Sequence, residues 1–393
     1  MKKRVRPYKI LAINQATSLL FRSILDALAA SGADVHLLTG SFENEKGYVP
    51  AFSVRLACVL KKAPAWRRIW TWSLFTLEAV FELVKYRECL IIVVTNPPLT
   101  PWITPLIKRL FGIHYVELIY DVYPDIMERM GMIRPGGIFS KCLRYLSTQS
   151  HLMADHIITL SDDMKSTILR QISEKEHTPQ VTVIPNWADT NLLRPLSKDE
   201  NPFAKEHDLV DKFVIMYSGA FGASHDIPNL LETAKLLEDL PNIRFVLIGG
   251  GTKEHDVLKL VLKMSLSNLL VLPWQPIDNI KYSLSCADCH IVSQDESMAG
   301  VSVPSKIFTS LAVGSVIIAV APPETQLQEI IEKYHCGILV PPKDSGKLAH
   351  VLRILYQNPA LCKEMSSNSR LAAEAEFNTE ICTRKYVNII KSL

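Results

Sequence analysis

Apolar residues in this chain follow two rhythms. Short unbroken runs alternate with longer stretches in which apolar positions recur every three or four residues. The first suits strands buried on both faces of a parallel sheet, the second the helices that cover it. Tyr8–Ile13 reads as a strand, Leu20–Ala30 as a helix with Leu20, Ile24 and Leu28 on one face, and Val35–Leu38 as the next strand after Gly32. Leu90–Val94, Tyr115–Ile119, His156–Thr159 and Val181–Ile184 continue the strand series. Ser161 is placed to cap a helix around Met164–Leu169. Ser197–Pro202 is polar and reads as a linker. Beyond it the rhythm resumes with strands at Phe213–Tyr217, Arg244–Ile248, Leu269–Leu272, His290–Val292, Val316–Val320 and Ile338–Val340, and it ends on a helix, Glu380–Leu393. The pattern predicts an α/β protein of two domains, residues 1–200 and 201–378, with a final helix over 379–393.

The block Val303–Val340 is the most informative. Pro304 can open a helix, Ile307, Phe308 and Leu311 recur at helical spacing, and Gly314 ends it before the strand Val316–Val320. A helix start at a strand-end crevice suits an anion, because its free N–H groups and dipole favour negative charge. Lys306 in that first turn opposes the dipole, and a bound phosphate would explain it.

A different pattern occupies Lys61–Tyr86. Trp66, Ile69, Trp70, Ser73, Leu74, Leu77, Phe81 and Val84 fall on one helical stripe, with Lys61, Lys62, Arg67 and Arg68 at its start. Tryptophan with basic residues on an amphipathic helix is an interfacial signature. The alternative is a core-packing helix, which the later half, Leu74–Val84, is expected to be. Net charge over the 393 residues is only +3, which argues against general nucleic-acid binding. Residues 1–110, however, hold 16 Lys+Arg against 7 Asp+Glu, so an anionic membrane face is the simplest local partner. No stretch reaches the roughly 20 apolar residues that span a bilayer, and no leader peptide is evident, so a cytoplasmic protein held peripherally on the inner face of the plasma membrane is expected. Eight scattered cysteines fit a reducing compartment. Cys286-Ala-Asp-Cys289-His290 spells a haem-attachment pattern, but it falls at a helix-to-strand junction and reads as structural.

Several segments resemble family 4 glycosyltransferases of the GT-B fold. They are IPNWADTNLLRP (Ile184–Pro195), MYSGAFGASHDIPNLLETA (Met216–Ala234), FVLIGGGTK (Phe245–Lys253), the Pro304–Ile318 block and GILVPP (Gly337–Pro342). Looser matches lie at Gly32–Gly40, Thr95–Pro98, Leu118–Asp125 and Ala154–Ile168. The branch it looks most like builds bacterial surface polysaccharides. The resemblance implies two Rossmann-like domains facing across a cleft, with the last helix crossing back to the first. It implies a retaining transfer of sugar from a nucleotide-sugar, UDP-linked as the first expectation, to a lipid-linked or saccharide acceptor. No cofactor or metal is expected, in keeping with the absence of any D-x-D motif. A sugar-nucleotide epimerase of the same fold and a non-catalytic partner subunit remain alternatives.

The same resemblance nominates site residues. Lys306 with Val303, Pro304 and Ser305 would hold the diphosphate, joined by Gly219, Phe221, Gly222 and His225 after one strand and by Gly249, Gly250 and Lys253 after the next. Trp274 and Gln275 would lie at the nucleobase, and Thr309 stands where relatives carry a ribose-binding Glu. His225 could equally be a helix cap, the glycines plain turns and Trp274 a packing residue. On the acceptor side are Asp121, at a strand end where it could take the acceptor's proton or merely cap a turn, and Asn96. Ser18, the other acceptor-binding candidate, lies in a first strand–helix loop that lacks the usual glycines. Asp125 is expected to cap a helix.

Overall fold

The computed structural model describes residues 8–42, 47–61, 64–172, 178–222 and 226–393. The chain divides into two compact units. Among the described residues the first holds nine strands: β1 (Lys9–Ile13), β2 (Ala16–Thr17), β3 (Asp34–Thr39), β4 (Ser41–Phe42), β5 (Ser53–Leu56), β6 (Leu90–Val94), β7 (His114–Ile119), β8 (His156–Thr159) and β9 (Val181–Val183). Seven of them form a parallel sheet in the order β5-β3-β1-β6-β7-β8-β9, and β2 pairs with β4 alongside. The second unit holds β10 (Phe213–Ala220), β11 (Ile243–Gly250), β12 (Leu269–Leu272), β13 (Cys289–Ser293), β14 (Val316–Val320) and β15 (Gly337–Val340), parallel in the order β12-β11-β10-β13-β14-β15. Each is an open, doubly wound α/β sheet. The order reverses between β1 and β6 in one unit and between β10 and β13 in the other, and ligands collect at such switch points beyond the strands' carboxyl ends.

The apolar runs are central because both sheet faces are covered. In the second unit Met216, Val246, Val292 and Ile317 point into one core, while Ile215, Phe245, Ile291 and Ile318 point into the other. Alternate residues of one strand therefore serve opposite faces, which requires a continuous apolar run.

The structure corrects several expectations. The units divide at Pro185–Asn186 and not at residue 200. Residues 186–200 pack on the second unit: the Ala188 amide donates to Phe377 O (3.0 Å) and the Arg370 guanidinium to the carbonyls of Leu193 (2.8 Å) and Thr190 (2.9 Å). The Ser197–Pro202 linker is likewise ordered structure. Buried Asn201 caps the helix Pro202–Glu206, accepting from the Phe203 and Ala204 amides, and donates to Tyr282 O (2.8 Å). Two later segments belong to the first unit: Gly300–Ser302 and Glu380–Leu393. In the closing helix, Thr379–Ser392, it is Cys382, Thr383, Tyr386 and Ile390 that are buried.

The helix Ala65–Lys85 buries Thr71, Trp72, Phe75, Thr76, Ala79, Glu82 and Leu83. The later half, Leu74–Val84, packs inward as expected, but through Phe75, Ala79 and Leu83; the Trp66–Phe81 stripe is the opposite face, and its Leu74, Leu77 and Phe81 are exposed. The haem-like motif is structural. Cys286, Cys289 and His290 are buried, burial pushes the Cys286 thiol up to about 12, and the Asp288 carboxylate takes the Val214 amide (2.7 Å) and the Lys198 ammonium.

Candidate functional site

In the second unit the glycines expected in loops are the last residues of strands. β10 runs through Gly219 and Ala220 and β11 through Gly249 and Gly250, with Gly219 paired to Gly249 and Ala220 to Gly250. Space demands glycine here. A Cβ on Gly249 would collide with the Gly219 carbonyl, and one on Gly219 would occupy the place of the Lys306 ammonium. Phe221 continues the seam. Its amide donates to Gly250 O (2.8 Å), its carbonyl accepts the Lys253 amide (2.9 Å), and its ring is buried in the core. Its role at the site is therefore confined to the backbone. Gly222 lies just beyond, and His225 is outside the described residues.

Lys306 meets this glycine-cleared edge from the other side. The helix begins at Lys306, two residues later than expected, so Val303, Pro304 and Ser305 form its lead-in. The Lys306 ammonium donates to the Tyr217 hydroxyl (2.9 Å) and sits 4.1 Å from the centre of that ring. Among the described residues no carboxylate comes within ion-pair distance of it. Burial lowers its pKa to about 7. A lysine so placed carries its charge readily only when an anion arrives, since burying an unpaired charge is costly. Thr309 gives its hydroxyl hydrogen to Lys306 O (2.9 Å), which leaves the oxygen able to accept but not donate.

Around this pair, Trp274 is largely exposed with its indole nitrogen over Gly250, and Gln275 folds back on Pro273 O (3.0 Å). Lys253 is exposed and pairs with Asp256 (3.6 Å). A cavity of about 340 Å³ opens nearby, walled by Gly222, Asp226, Lys253, Gln294, Asp295 and Lys343 among others. Lys306 is not in its wall. Asp295 is engaged locally, accepting the Ser297 amide (2.9 Å), and the Ser297 hydroxyl lowers its pKa. Sequence reasoning missed Tyr217 and Lys343. Tyr217 was hidden because a strand tyrosine among apolar neighbours reads as core.

In the first unit, Asp121 follows β7, next to the switch point. The Thr95 hydroxyl, at the end of β6, accepts the Tyr120 (3.1 Å) and Asp121 (3.4 Å) amides, which fixes the turn. Burial raises the Asp121 carboxyl to about 6. It caps no helix: the short helix Asp125–Arg129 is preceded by Pro124. Asp125 is not a cap either, being held by Arg144 (3.0 Å) and Gln171 (2.7 Å). Asn96 accepts the Gln15 amide on its carbonyl (2.8 Å), tying the loop after β1 to the end of β6. Ser18 caps the helix Leu19–Ala30 through the Phe21 amide, so its hydroxyl already has structural work. Asn96 and Asp121 thus lie at one sheet edge, and Ser18 lies at a helix start beside it.

Two family models cover these two units in turn. "Glycosyltransferase Family 4" matches residues 20–192 and "Glycosyl transferases group 1" matches residues 198–372. The chain belongs to the family 4 glycosyltransferases. Among curated relatives of this family, "Probable glycosyltransferase WbjE" of Pseudomonas aeruginosa is 28% identical over 259 residues, 66% of this chain and 64% of that protein. The chain thus spans just under two thirds of that relative's length. WcaI of Escherichia coli K12, named for colanic acid biosynthesis, is 26% identical over 291 residues, 73% of this chain and 70% of that one. Among solved structures, sucrose-phosphate synthase from Thermosynechococcus elongatus superposes with a TM-score of 0.78 at 18% identity, covering 98% of both chains. HepE from Anabaena, solved with UDP-glucose, gives 0.73 at 15% identity over 98% of this chain and all of that one. The GT-B fold of the family is therefore the fold of this chain.

Proposed function

We propose that this family 4 glycosyltransferase moves a sugar, with retained configuration, from a UDP-sugar to a lipid-linked or saccharide acceptor during surface polysaccharide assembly. The observation that carries the reading is the Lys306 ammonium, desolvated against Tyr217 and Gly219 at the carboxyl edge of β10. Breaking the sugar C1–O bond leaves charge on the departing diphosphate, and a preorganised cation in a dry site stabilises that charge. Lys306 supplies the cation without a metal ion in this scheme. The exposed Trp274 offers a face for the nucleobase, and Thr309 accepts a ribose hydroxyl. On the acceptor side Asp121, with its carboxyl raised to about 6, takes or steers the proton of the attacking hydroxyl near neutral pH. UDP is favoured because HepE was solved with UDP-glucose. Polysaccharide assembly is favoured by the name of WcaI.

A lipid-linked acceptor requires approach to a membrane. Among the described residues no helix is long and apolar enough to cross one. The helix Ala65–Lys85 instead exposes Trp66 (64%), Trp70 (62%) and Phe81 (66%) along one face. Beside it lies a groove of about 460 Å³ walled by Lys61, Trp66, Arg67 and Trp70 among others. That face supports peripheral binding to anionic lipid.

The test is incubation with UDP-, GDP- and ADP-sugars, with and without a polyprenyl-diphosphate-linked saccharide. Release of UDP that rises with the acceptor, with a new glycan–lipid product, is expected. Turnover of the nucleotide-sugar to an epimer without acceptor would replace the transferase reading. Diphosphate binding with no turnover of any donor would mark a non-catalytic subunit.

A further inference from the structure

We infer that Tyr217 is a positioning residue for the donor site, whose phenol and ring hold the Lys306 ammonium in a relay running Lys306 Nζ to Tyr217 Oη to Ala220 O. The inference rests on the donor-site reading of Lys306 and extends it.

The geometry is directional. The Tyr217 hydroxyl donates to the Ala220 carbonyl (2.7 Å), which turns its lone pairs toward Lys306, and the ammonium then donates to that oxygen (2.9 Å). The ring closes the same contact from below, with Nζ 4.1 Å from its centre, a distance at which a ring face attracts a cation. Ala220 is paired in register with Gly250 and Gly219 with Gly249. The relay therefore ties the start of the helix Lys306–Ala312 to the ends of β10 and β11, the two strands whose glycines clear the site.

A lysine is otherwise a poor instrument for this task. Its stem is flexible, and an ammonium acts as a point charge whose ordering is costly. Tyr217 restricts it, spending one of three N–H donors and leaving two for an anion. The phenol is almost fully buried and burial drives its pKa upward, so it stays a neutral O–H across working pH. Among the described residues Tyr217 is the titratable group in contact with Nζ. From β10 the Gly219 backbone also lies close to it, and from its own helix the Thr309 and Ser310 hydroxyls donate to the Lys306 carbonyl. Burial alone holds the lysine near 7. A bound diphosphate restores its charge, so binding above that pH takes up a proton.

The experiment is calorimetric titration of UDP into wild type, Tyr217→Phe and Lys306→Ala at pH 6.5, 7.5 and 8.5, each in two buffers of different ionisation heat, with kcat and donor KM alongside. Wild type should take up close to one proton per UDP at the highest pH, and Lys306→Ala none. Tyr217→Phe keeps the ring but frees the ammonium to reach water. It should lose more than half of the uptake and about tenfold in kcat, the worth of one hydrogen bond to a charged group, with a smaller change in KM. Wild-type uptake and turnover in Tyr217→Phe would make Tyr217 a core residue and overturn the inference. Wild-type affinity and uptake in Lys306→Ala would instead overturn the donor-site reading itself. Should Tyr217→Phe not fold, 2,3-difluorotyrosine at 217 keeps the shape while weakening the oxygen as acceptor. An unaltered pH profile in that protein would equally overturn the relay.

Discussion

Three side chains carry testable chemistry at the scale of the residue. Lys306→Ala removes a charge-assisted contact and should weaken UDP binding by about 1.5–3 kcal/mol. Unchanged affinity for UDP, GDP and ADP by calorimetry would place the diphosphate elsewhere. Asp121 makes opposite predictions for activity and stability. Its folded pKa, about 6, lies above the usual carboxylate value of 3.8. The native state thus favours the protonated form, and stability contributed at acid pH is lost as pH rises through about 6. Asp121→Asn should therefore melt no lower than wild type at neutral pH, while transfer falls about 100-fold and loses its acid limb below about pH 6. A variant that transfers normally would leave Asp121 as a turn residue. His290 runs the other way. It is buried (2% exposed), neither ring nitrogen has a hydrogen-bond partner among the described residues, and burial lowers its pKa to about 3. The unfolded chain protonates it near 6.5 and the native one does not, so stability falls as pH drops from about 6.5 toward 3, by up to roughly 1.4 kcal/mol per pH unit. His290→Leu should flatten that slope in urea unfolding at pH 5, 6 and 7, and equal slopes would rule His290 out as its source.

At the scale of the element, periodicity located helices and strands better than it assigned their faces. Strand positions were legible because two-sided burial leaves an unbroken apolar run, as in Val316–Val320. β5 was not, since Ser53–Leu56 is an edge strand with mostly exposed side chains and no run to see. Strand ends were cut short at glycine, because glycine is a weak strand former and reads as a turn. Only the β10–β11 pairing shows that Gly219 and Gly249 stay in the ladder for lack of room. The helix Ala65–Lys85 shows the same limit. Its stripe of Trp66, Ile69, Trp70, Leu77 and Phe81 was plain in the sequence, but an apolar stripe alone does not say whether protein or lipid covers it. The structure buries the other face, built on Trp72, Phe75 and Leu83. Trp66→Ser with Trp70→Ser should abolish sedimentation with anionic liposomes at low salt and leave the melting temperature within about a degree or two, as exposed sites do. Trp72→Ala should instead cost about 3–5 kcal/mol of stability. Retained liposome binding in the double variant would remove this face from the membrane reading.

At the scale of the whole molecule, chain order and unit membership part company. The GT-B architecture was legible from the alternation of runs and helices and from the motif order. The exchange of segments was less so. Nothing in the residues 297–303 marks any of them as part of the other unit, whereas the structure shows it: the Val301 carbonyl accepts the Val122 amide (2.9 Å) and the Gly300 amide donates to Asp163 (3.0 Å), both within the first unit. The closing helix is the larger case. Cys382, Tyr386 and Ile390 are buried although 186–379 intervenes between them and the rest of their unit, apart from residues 300–302. A chain ending at Thr379 keeps every residue of the second unit and strips four buried side chains from the first, Thr383 being the fourth. Each large buried side chain lost costs about 2–5 kcal/mol, a sizeable part of a domain's usual margin of about 5–15 kcal/mol. The truncated protein should exchange its β1, β6 and β7 amides far faster than wild type by hydrogen–deuterium mass spectrometry. Protection at β10, β11 and β13 should persist, and UDP should still raise that protection. Equal loss of protection in both sheets would mean that the second unit depends on the first for its stability, and that the donor site cannot be studied apart from the acceptor side.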